Sequence, residues 1–462
     1  MTDPRVIAER FDLKGLDTAF LEDPYPVYRA LREHDPVHRM PDGSYFLSRY
    51  DDCAAVYRDP HTWSSDKTVD FRPSMGDRAL YEHHTTSLVF NDPPYHTRVR
   101  RLLAPAFTPR ALAALQPRIE ALVDRLLDRA AARGGMDLIA DFAAAVPIQL
   151  VGDMLGVPEA ERGPLRDWSL AILSGLEPVL TPAQRERGDG AVAEFKAYLR
   201  DLIERREREP SRDDAEILST LTAGSVLAPG GSTEERLAEL ELLHNCIFLL
   251  NAGHETTTNL IGNAVDLLLR HPQAQADLRA QPGLIASAVE EFLRLESSNQ
   301  LGNRRAARDT VLGGVPMPAG TYVHIGIGAA NRDPAQFAEP DRLDLARHPN
   351  RHLAFGVGIH ACAGMWLARM EGQVAIGRLV QRFGTIERDG APVRGGRARF
   401  RGFLHYPVRV RPRPARAAGA AVSRRPRSPP PPPPGRGAPA CAPPPWCWWA
   451  ARRSTPCARR CA

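Results

Sequence analysis

The chain has 462 residues, and its 60 Lys and Arg against 55 Asp and Glu give a formal net charge of +5. Residues 415–462 hold nine arginines and no acidic residue, which leaves a charge of −4 for the rest of the chain. This mildly acidic body gives no reason to expect a nucleic-acid partner. The first twenty residues lack an apolar run of the length that a signal peptide or membrane anchor needs, so we expect a cytoplasmic protein without a membrane span.

Helical periodicity dominates the chain up to about residue 411. Apolar residues recur three or four apart over residues 111–131, 213–222, 233–270 and 284–295. Short β-like runs lie at residues 44–47, 322–325 and 406–410. The pattern predicts one mainly α domain with small β-sheets over residues 1–411.

The longest helical pattern carries the run A-G-H-E-T-T-T at residues 252–258. Thr256 follows Ala252 by four residues, so its hydroxyl can bond the Ala252 carbonyl, and we expect a widened turn there. Gly253 would leave a bare spot beside that turn, with room for a diatomic ligand. Glu255 and Thr256 then offer an acid and a hydroxyl in series, as proton delivery requires. A threonine-rich buried turn without a catalytic role is the alternative interpretation.

One cysteine lies in a glycine-rich loop, F-G-V-G-I-H-A-C-A-G at residues 355–364, just before a helical pattern. A thiolate that ligates haem iron needs backbone N–H groups aimed at its sulfur and room for a flat macrocycle. Gly358 and Gly364 can supply both, because glycine takes backbone angles closed to other residues and has no Cβ. Phe355 can keep water away from the sulfur. The alternative is a buried, inert cysteine.

Together these motifs resemble the cytochrome P-450 family, most closely its soluble bacterial members. The family pattern F-x-x-G-x-H-x-C-x-G is matched at Phe355, Gly358, His360, Cys362 and Gly364, and A-G-x-[DE]-T is matched at residues 252–256. The resemblance extends from about residue 23 to residue 410. It implies the cytochrome P-450 fold, haem b with Cys362 as the axial iron ligand, Ala252 beside the haem, and Thr256 and Glu255 as the proton-delivering pair.

The resemblance also implies two sets of charged residues around the haem. The first set would bind the two haem propionates and consists of His96, Arg100, Arg304 and His352. The second set is the E-x-x-R pair Glu291 and Arg294 with Arg347, which would form a buried structural triad. A bare E-x-x-R is otherwise an ordinary surface pair.

The substrate pocket implied by the family is lined by Leu88, Phe90, Phe248, Leu249, Asn299, Gln300 and Phe403. Asn299 and Gln300 depart from the apolar residues usual there. Buried amides need hydrogen-bond partners. The two amides therefore either bind a polar group of the substrate or brace the loop. The sequence leaves both interpretations open.

The activity implied is monooxygenation, in which one oxygen atom of dioxygen enters a small organic substrate. No G-x-G-x-x-G opens a helix, so we expect electrons from a separate ferredoxin or flavodoxin whose reductase uses NAD(P)H. Arg98 and Arg101 are candidate docking residues for such an acidic partner. Peroxide-driven, dehydrating or coupling chemistry and a non-catalytic haem ligand binder are the alternatives. The pair Glu255 and Thr256 argues against the last, because ligand binding needs no proton relay.

The composition changes sharply near the end of the chain. Residues 415–462 contain twelve prolines and four of the seven cysteines. Such a segment cannot bury enough apolar surface to fold, and we expect residues 412–462 to form a disordered tail. The tail is either an unselected extension or, through Trp446, Trp448 and Trp449, a recognition patch.

Overall fold

The computed structural model describes residues 3–209, 218 and 238–413. Apart from Leu218, the helix predicted over residues 213–222 lies outside this range, as do residues 233–237 and the tail from residue 414 onward. The predicted body boundary at residue 411 is two residues short. Pro412 ends the last strand, and the Arg413 N–H donates to the Arg382 carbonyl at 3.3 Å.

Helices make up most of the described chain, and the predicted mainly α fold is confirmed. The α-helices span Pro4–Glu9, Thr18–Glu22, Tyr25–His34, Tyr50–Arg58, Thr68–Met75, Ala79–Thr86, Tyr95–Leu103, Pro109–Arg133, Ala145–Met154, Leu165–Ser174, Pro182–Arg208, Glu239–Arg270, Pro272–Ala280, Ile285–Leu295, Ile327–Ala330 and Met365–Arg382. Shorter helical turns span Leu88–Phe90, Ala104–Phe107, Leu138–Ala143, Glu159–Glu161, Pro282–Leu284 and Gly358–His360. No helix among the described residues has both the length and the apolar composition needed to cross a bilayer.

The strands are short. They are β1 Val37–Arg39, β2 Tyr45–Leu47, β3 Trp63–Ser64, β4 Gly135–Asp137, β5 Leu301–Ala306, β6 Thr310–Leu312, β7 Val315–Met317, β8 Tyr322–Gly326, β9 Phe383–Arg388, β10 Val393–Arg394, β11 Phe403–His405 and β12 Pro407–Pro412. The largest sheet has the order β1-β2-β8-β5-β3, and a second sheet has the order β4-β12-β9. β6 with β7 and β10 with β11 form two-stranded sheets. The three predicted β runs appear as β2, β8 and β12.

The helix Glu239–Arg270, here called the central helix, is the axis of the fold. It ends at Arg270, as the periodicity predicts, and Pro272 opens the next helix. At its start the Glu241 carboxylate accepts from the Ala238 N–H at 2.9 Å. The central helix packs against helices Ala145–Met154, Leu165–Ser174 and Met365–Arg382, which bury most of its surface.

The helix Met365–Arg382, here called the cysteine helix, begins directly after Gly364. It packs against the central helix and against Ile285–Leu295. Gly372 permits this close approach, because a Cβ there would lie 3.0 Å from Leu260 and 3.5 Å from Val289. Cys362 therefore lies three residues before a long helix, whose N-terminal end favours negative charge.

Candidate active site

The cysteine loop, residues 355–364, is closed by its own backbone. The Cys362 N–H donates to the Phe355 carbonyl at 2.9 Å, and the Ala361 N–H donates to the Gly358 carbonyl at 3.1 Å. Gly358 has φ +80°, and a Cβ there would lie 2.4 Å from the Tyr57 carbonyl oxygen. Glycine is thus required at 358 by a left-handed backbone and by close contact with the protein itself.

Gly364 differs from the expectation stated above. Its φ of −87° is open to other residues, and a Cβ there would make an ordinary contact of 3.6 Å with Phe107. Its contribution is the backbone N–H, which bonds the Cys362 sulfur. Burial raises the pKa of the Cys362 thiol, whereas this bond and the charges of Arg100 and Arg369 lower it. The loop thus provides partial stabilisation of a thiolate, which a bound metal cation would complete.

A group of positively charged and imidazole side chains, here called the cation cluster, lies beside the loop. Its members are Lys67, His96, Arg100, Arg304 and His360. The rings of His96 and His360 are 4.1 Å apart between centroids. Within the described residues, both ring nitrogens of His96 and the Nε2 of His360 are buried without a hydrogen-bond partner. Buried polar atoms of this kind point to a missing ligand.

The electrostatics of the cation cluster agree with its geometry. Burial, together with the charges of Arg304, His96, Arg100 and Lys67, lowers the pKa of His360 to about 2. Burial likewise lowers the pKa of Lys67 to about 8. Arg304 is buried. Its guanidinium donates to the Asn303 carbonyl at 2.7 Å and lies over the Tyr57 ring. Asp70 and Asp92 offset part of the charge. The cluster therefore fits a group with two carboxylates, such as the propionates of haem.

His352 does not belong to this cluster, and the geometry gives no support to the prediction that it binds a propionate. Its Nε2 lies 3.2 Å from the Glu290 carboxylate, and its Nδ1 accepts from the Ala354 N–H at 3.2 Å. Burial alone would raise the pKa of Glu290, but hydrogen bonds from Arg369 and His352 lower it to about 2. Of the two histidines, His360, two residues before the cysteine, is the one that lies in the cluster.

The structure brings Glu291, Arg294 and Arg347 together. Arg294 makes two bonds of 2.8 Å to the Glu291 carboxylate, and the Arg347 Nε is 3.1 Å from both of its oxygens. The remaining N–H groups of Arg294 donate to backbone carbonyls, among them Asn331 at 2.9 Å and Pro340 at 2.7 Å. The triad is buried and its charges are paired.

The central helix has an open strip in an otherwise buried surface. Its partly exposed residues there are Phe248, Leu249, Ala252, Gly253 and Thr256. Because these residues lie three or four positions apart, they share one face of the helix. The Thr256 hydroxyl donates to the Ala252 carbonyl at 2.7 Å, as the sequence predicts. The helix stays continuous through this turn, and Gly253 makes room for Val151, 3.0 Å from the position of a Cβ.

Two predicted pocket residues contact other parts of the molecule. Phe403 packs edge-on against Tyr406 and beneath Arg394, and it approaches Gly262, six residues beyond Thr256. The Gln300 amide is buried and donates to the Ser297 carbonyl at 2.7 Å. These contacts are with the protein itself, so the geometry gives no support to a pocket role for either side chain.

The pocket segment that follows helix Ile285–Leu295 pairs with the chain near its end. Asn299 pairs with Phe400 as an isolated antiparallel bridge, and the Gln300 N–H donates to the Arg399 carbonyl at 2.8 Å. The pairing places Phe400, three residues before Phe403, beside the pocket segment. The sequence carried no signal for this pairing. Leu88 and Phe90 are buried in a helical turn whose Leu88 N–H donates to Asn245 on the central helix at 3.0 Å.

Comparison with known proteins agrees with this geometry. The cytochrome P450 family model matches residues 168–281 and 283–394. Vitamin D(3) 25-hydroxylase of Pseudonocardia autotrophica is 40% identical over 371 residues, which cover 78% of this chain and 86% of that protein. The chain belongs to the cytochrome P450 family. The 6-deoxyerythronolide B hydroxylase of Saccharopolyspora erythraea is 35% identical over 405 residues, covering 85% of this chain and 97% of the relative.

Solved structures of cytochromes P450 share the fold. The crystal structure of P450BioI, in complex with an acyl carrier protein ligated to hexadec-9Z-enoic acid, superposes with a TM-score of 0.79 at 34% identity. The match covers 85% of this chain and all of the P450BioI chain. The protein is accordingly a haem b monooxygenase that oxidises a small organic substrate with dioxygen, and its electrons come from a redox partner.

Proposed function

We propose that Cys362 is the axial ligand of the haem iron and that the cation cluster binds the haem propionates. The observation that carries this proposal is the unpartnered imidazole pair His96 and His360, within one short loop of a cysteine whose sulfur receives the Gly364 N–H. Bound haem with its thiolate ligand supplies dioxygen activation. The protein's part is to ligate, to exclude water, to position the substrate and to deliver protons.

Thr256 and Glu255 are the proposed proton carriers. The Thr256 hydroxyl is held on the open strip by the Ala252 carbonyl, where it can give its proton to the pocket and take another from a donor behind it. Glu255, next in the chain and buried, is that donor. Thr256→Ala is expected to keep haem and ligand binding but to divert electrons into peroxide, measured as peroxide released per NADPH. Unchanged coupling of NADPH to product would move the role to another residue.

The proposed substrate is a bulky, mostly apolar molecule. Leu88, Phe90, Phe248, Leu249 and Phe400 provide the apolar lining, and vitamin D3 and 6-deoxyerythronolide B, named in two relatives, have this character. Asn299 is the polar lining residue, since its Oδ1 makes a long 3.4 Å contact with the Leu301 N–H and its amide is partly exposed. A screen of these two compounds and hexadec-9-enoic acid, read as a Soret shift, tests the proposal.

The matched variants for that screen are Asn299→Val and Gln300→Leu. Loss of a substrate hydrogen bond in Asn299→Val should weaken binding by about 1–3 kcal/mol, whereas Gln300→Leu should lower stability without changing affinity for bound compounds. Equal affinities in wild type and Asn299→Val would leave Asn299 as a loop brace.

Electrons are proposed to arrive from a ferredoxin or flavodoxin at the face beside Cys362. The exposed apolar side chains there are Trp366, 62% exposed, and Ile359, 37% exposed. Arg98 is not available as predicted, because its guanidinium forms a two-point ion pair with Glu241 at 2.7 and 3.0 Å. Arg101 stays a candidate. Turnover with a surrogate ferredoxin and its reductase, compared with peroxide alone, tests the proposal against peroxide-driven chemistry, and product identification separates oxygen insertion from dehydration or coupling.

We further propose that the protein is cytoplasmic and that the tail is dispensable for folding and haem binding. The three cysteines of the described residues, Cys53, Cys246 and Cys362, are free thiols, which suits a reducing compartment. Truncation after Pro414 should leave haem content and melting temperature unchanged, because strand β12 already ends at Pro412. A fall of several degrees would show that the tail contributes to stability.

A further inference from the structure

The acid proposed as proton donor is paired with an arginine that no sequence motif indicated. The Arg397 Nη1 donates to a Glu255 carboxylate oxygen at 2.9 Å, and its Nη2 pairs with the other oxygen. The side chains of Glu255 and Arg397 are 3% and 15% exposed, so the pair is largely shielded from water. An ion pair in this setting is strongly coupled, because little solvent screens it.

Arg397 is itself held in place by the backbone that follows it. The Glu177 carboxylate accepts from the N–H groups of Ala398 at 2.9 Å, Arg399 at 3.0 Å and Phe400 at 3.4 Å. On its other side, this segment bonds the pocket segment through the pair Asn299 and Phe400. The guanidinium thus projects from a turn that is fixed by Glu177 on one side and by the pocket segment on the other.

The other charged and titratable groups near Glu255 do not compete with Arg397. His254 precedes Glu255 on the central helix, and burial, with the charges of Arg166 and Arg397, lowers its pKa to about 3, so it is neutral at pH 7. Glu177 faces the backbone of the turn and attracts Arg397. Within the described residues, Arg397 is the cation in ion-pair contact with Glu255.

We propose that Arg397 is a positioning residue for proton delivery, which keeps the buried Glu255 ionised and fixes its carboxylate beside Thr256. The inference rests on the proposed role of Glu255. An ionised Glu255 can accept a proton from water and pass it to the Thr256 oxygen as the Thr256 hydroxyl proton leaves toward the pocket, so that one proton enters and one leaves. Without the cation, a buried carboxylate keeps its proton and no longer cycles.

The experiment is an infrared pH titration of the ferric holoprotein without substrate. It follows the C=O band of protonated Glu255, identified as the band lost in Glu255→Gln. In Arg397→Gln the midpoint of this band should move upward by about 1–3 pH units, since an opposite charge in contact shifts a carboxyl by that amount. Arg397→Lys, which keeps the charge, should stay near the wild-type midpoint.

The matched control is Arg388→Gln, which removes a 2.8 Å ion pair to Asp266 three turns further along the same helix. This control should leave the Glu255 band unmoved. Should Arg397→Gln fail to fold, Glu255→Asp withdraws the carboxylate from Arg397 by one methylene and should raise the midpoint in the same direction.

The outcomes separate the inference from the function on which it rests. An unmoved midpoint in Arg397→Gln, or in Glu255→Asp if that variant is needed, overturns the inference whatever the enzyme does in turnover. A shifted midpoint supports it. If Glu255→Gln then couples NADPH to product like the wild type, the positioning contact stands and the proton-donor role of Glu255 fails.

Discussion

Two of the buried groups of charged side chains, the Glu291 triad and the cation cluster, differ in what neutralises them. Around Glu291 the protein provides every partner: two arginines, the Asn350 amide at 3.1 Å and the Asp344 N–H at 3.0 Å bond the carboxylate. In the cation cluster, imidazole nitrogens of His96 and His360 have no partner within the described residues, and Arg304 reaches a backbone carbonyl.

The difference separates a structural network from a binding site. Burying a charge is costly unless it is paired, and a folded chain tolerates an incompletely paired cluster where a ligand completes it. The Glu291 triad is complete without haem and should therefore stabilise the apoprotein. The cation cluster should bind haem while contributing nothing to, or even opposing, the stability of the apoprotein.

The largest effect is expected from breaking the Glu291 triad, whose charges are all paired. Glu291→Gln leaves Arg294 and Arg347 buried without a carboxylate, and the free energy of unfolding should fall by about 3–5 kcal/mol. Urea denaturation followed by circular dichroism measures it, with the exposed Glu387→Gln as control. A loss below about 1 kcal/mol would mean that the arginines find other partners.

Breaking the cation cluster is expected to weaken haem retention selectively. Arg304→Gln should speed haem transfer to excess apomyoglobin about tenfold or more, because a charge-assisted bond to a propionate is lost. The melting temperature of the apoprotein should not fall. Arg305→Gln is the matched control, since Arg305 is already paired with Asp70 at 2.7 Å. Equal haem release from both variants would remove Arg304 from the site.

A smaller effect, dependent on pH, is expected from a buried acid that has no cation. Burial raises the pKa of Glu371 to about 8, and its hydrogen bond with Thr257 lowers it only in part. The folded protein therefore holds a proton that the unfolded chain releases near pH 4.5, so stability should fall as the pH rises from there through about 8. Between pH 7 and 9 the melting temperature should drop by a few degrees. Glu371→Gln should flatten that profile, and an equal drop in the variant would assign it to other groups.

The contacts predicted best from the sequence are those between residues that lie close together in the chain. The bond from Thr256 to Ala252 follows from helix geometry alone, and so does the pairing of Glu291 with Arg294. The cysteine loop is likewise local. In these cases the residue spacing determines which side chains meet, and no knowledge of the rest of the fold is needed.

Contacts between distant segments could not be predicted from the sequence. His352 and His360 both lie near the cysteine, and only the packing of the loop against helix Tyr95–Leu103 places His360 beside His96. Phe403 and Phe400 are three residues apart, and only the fold shows that Phe400 is the one that pairs with Asn299. The partners of Arg98 and Glu255 lie more than a hundred residues away, at Glu241 and Arg397. Such contacts depend on register between elements, which periodicity does not specify.

The central claim, that Cys362 holds the haem iron as a thiolate in a site completed by the cation cluster, is tested most directly by one spectrum. The reduced, carbon monoxide-bound protein should show the red-shifted Soret band of thiolate-ligated iron. Cys362→Ser should lose that band while Cys246→Ser, a second buried free cysteine, keeps it. An unchanged band in Cys362→Ser would contradict the account and place the ligand elsewhere.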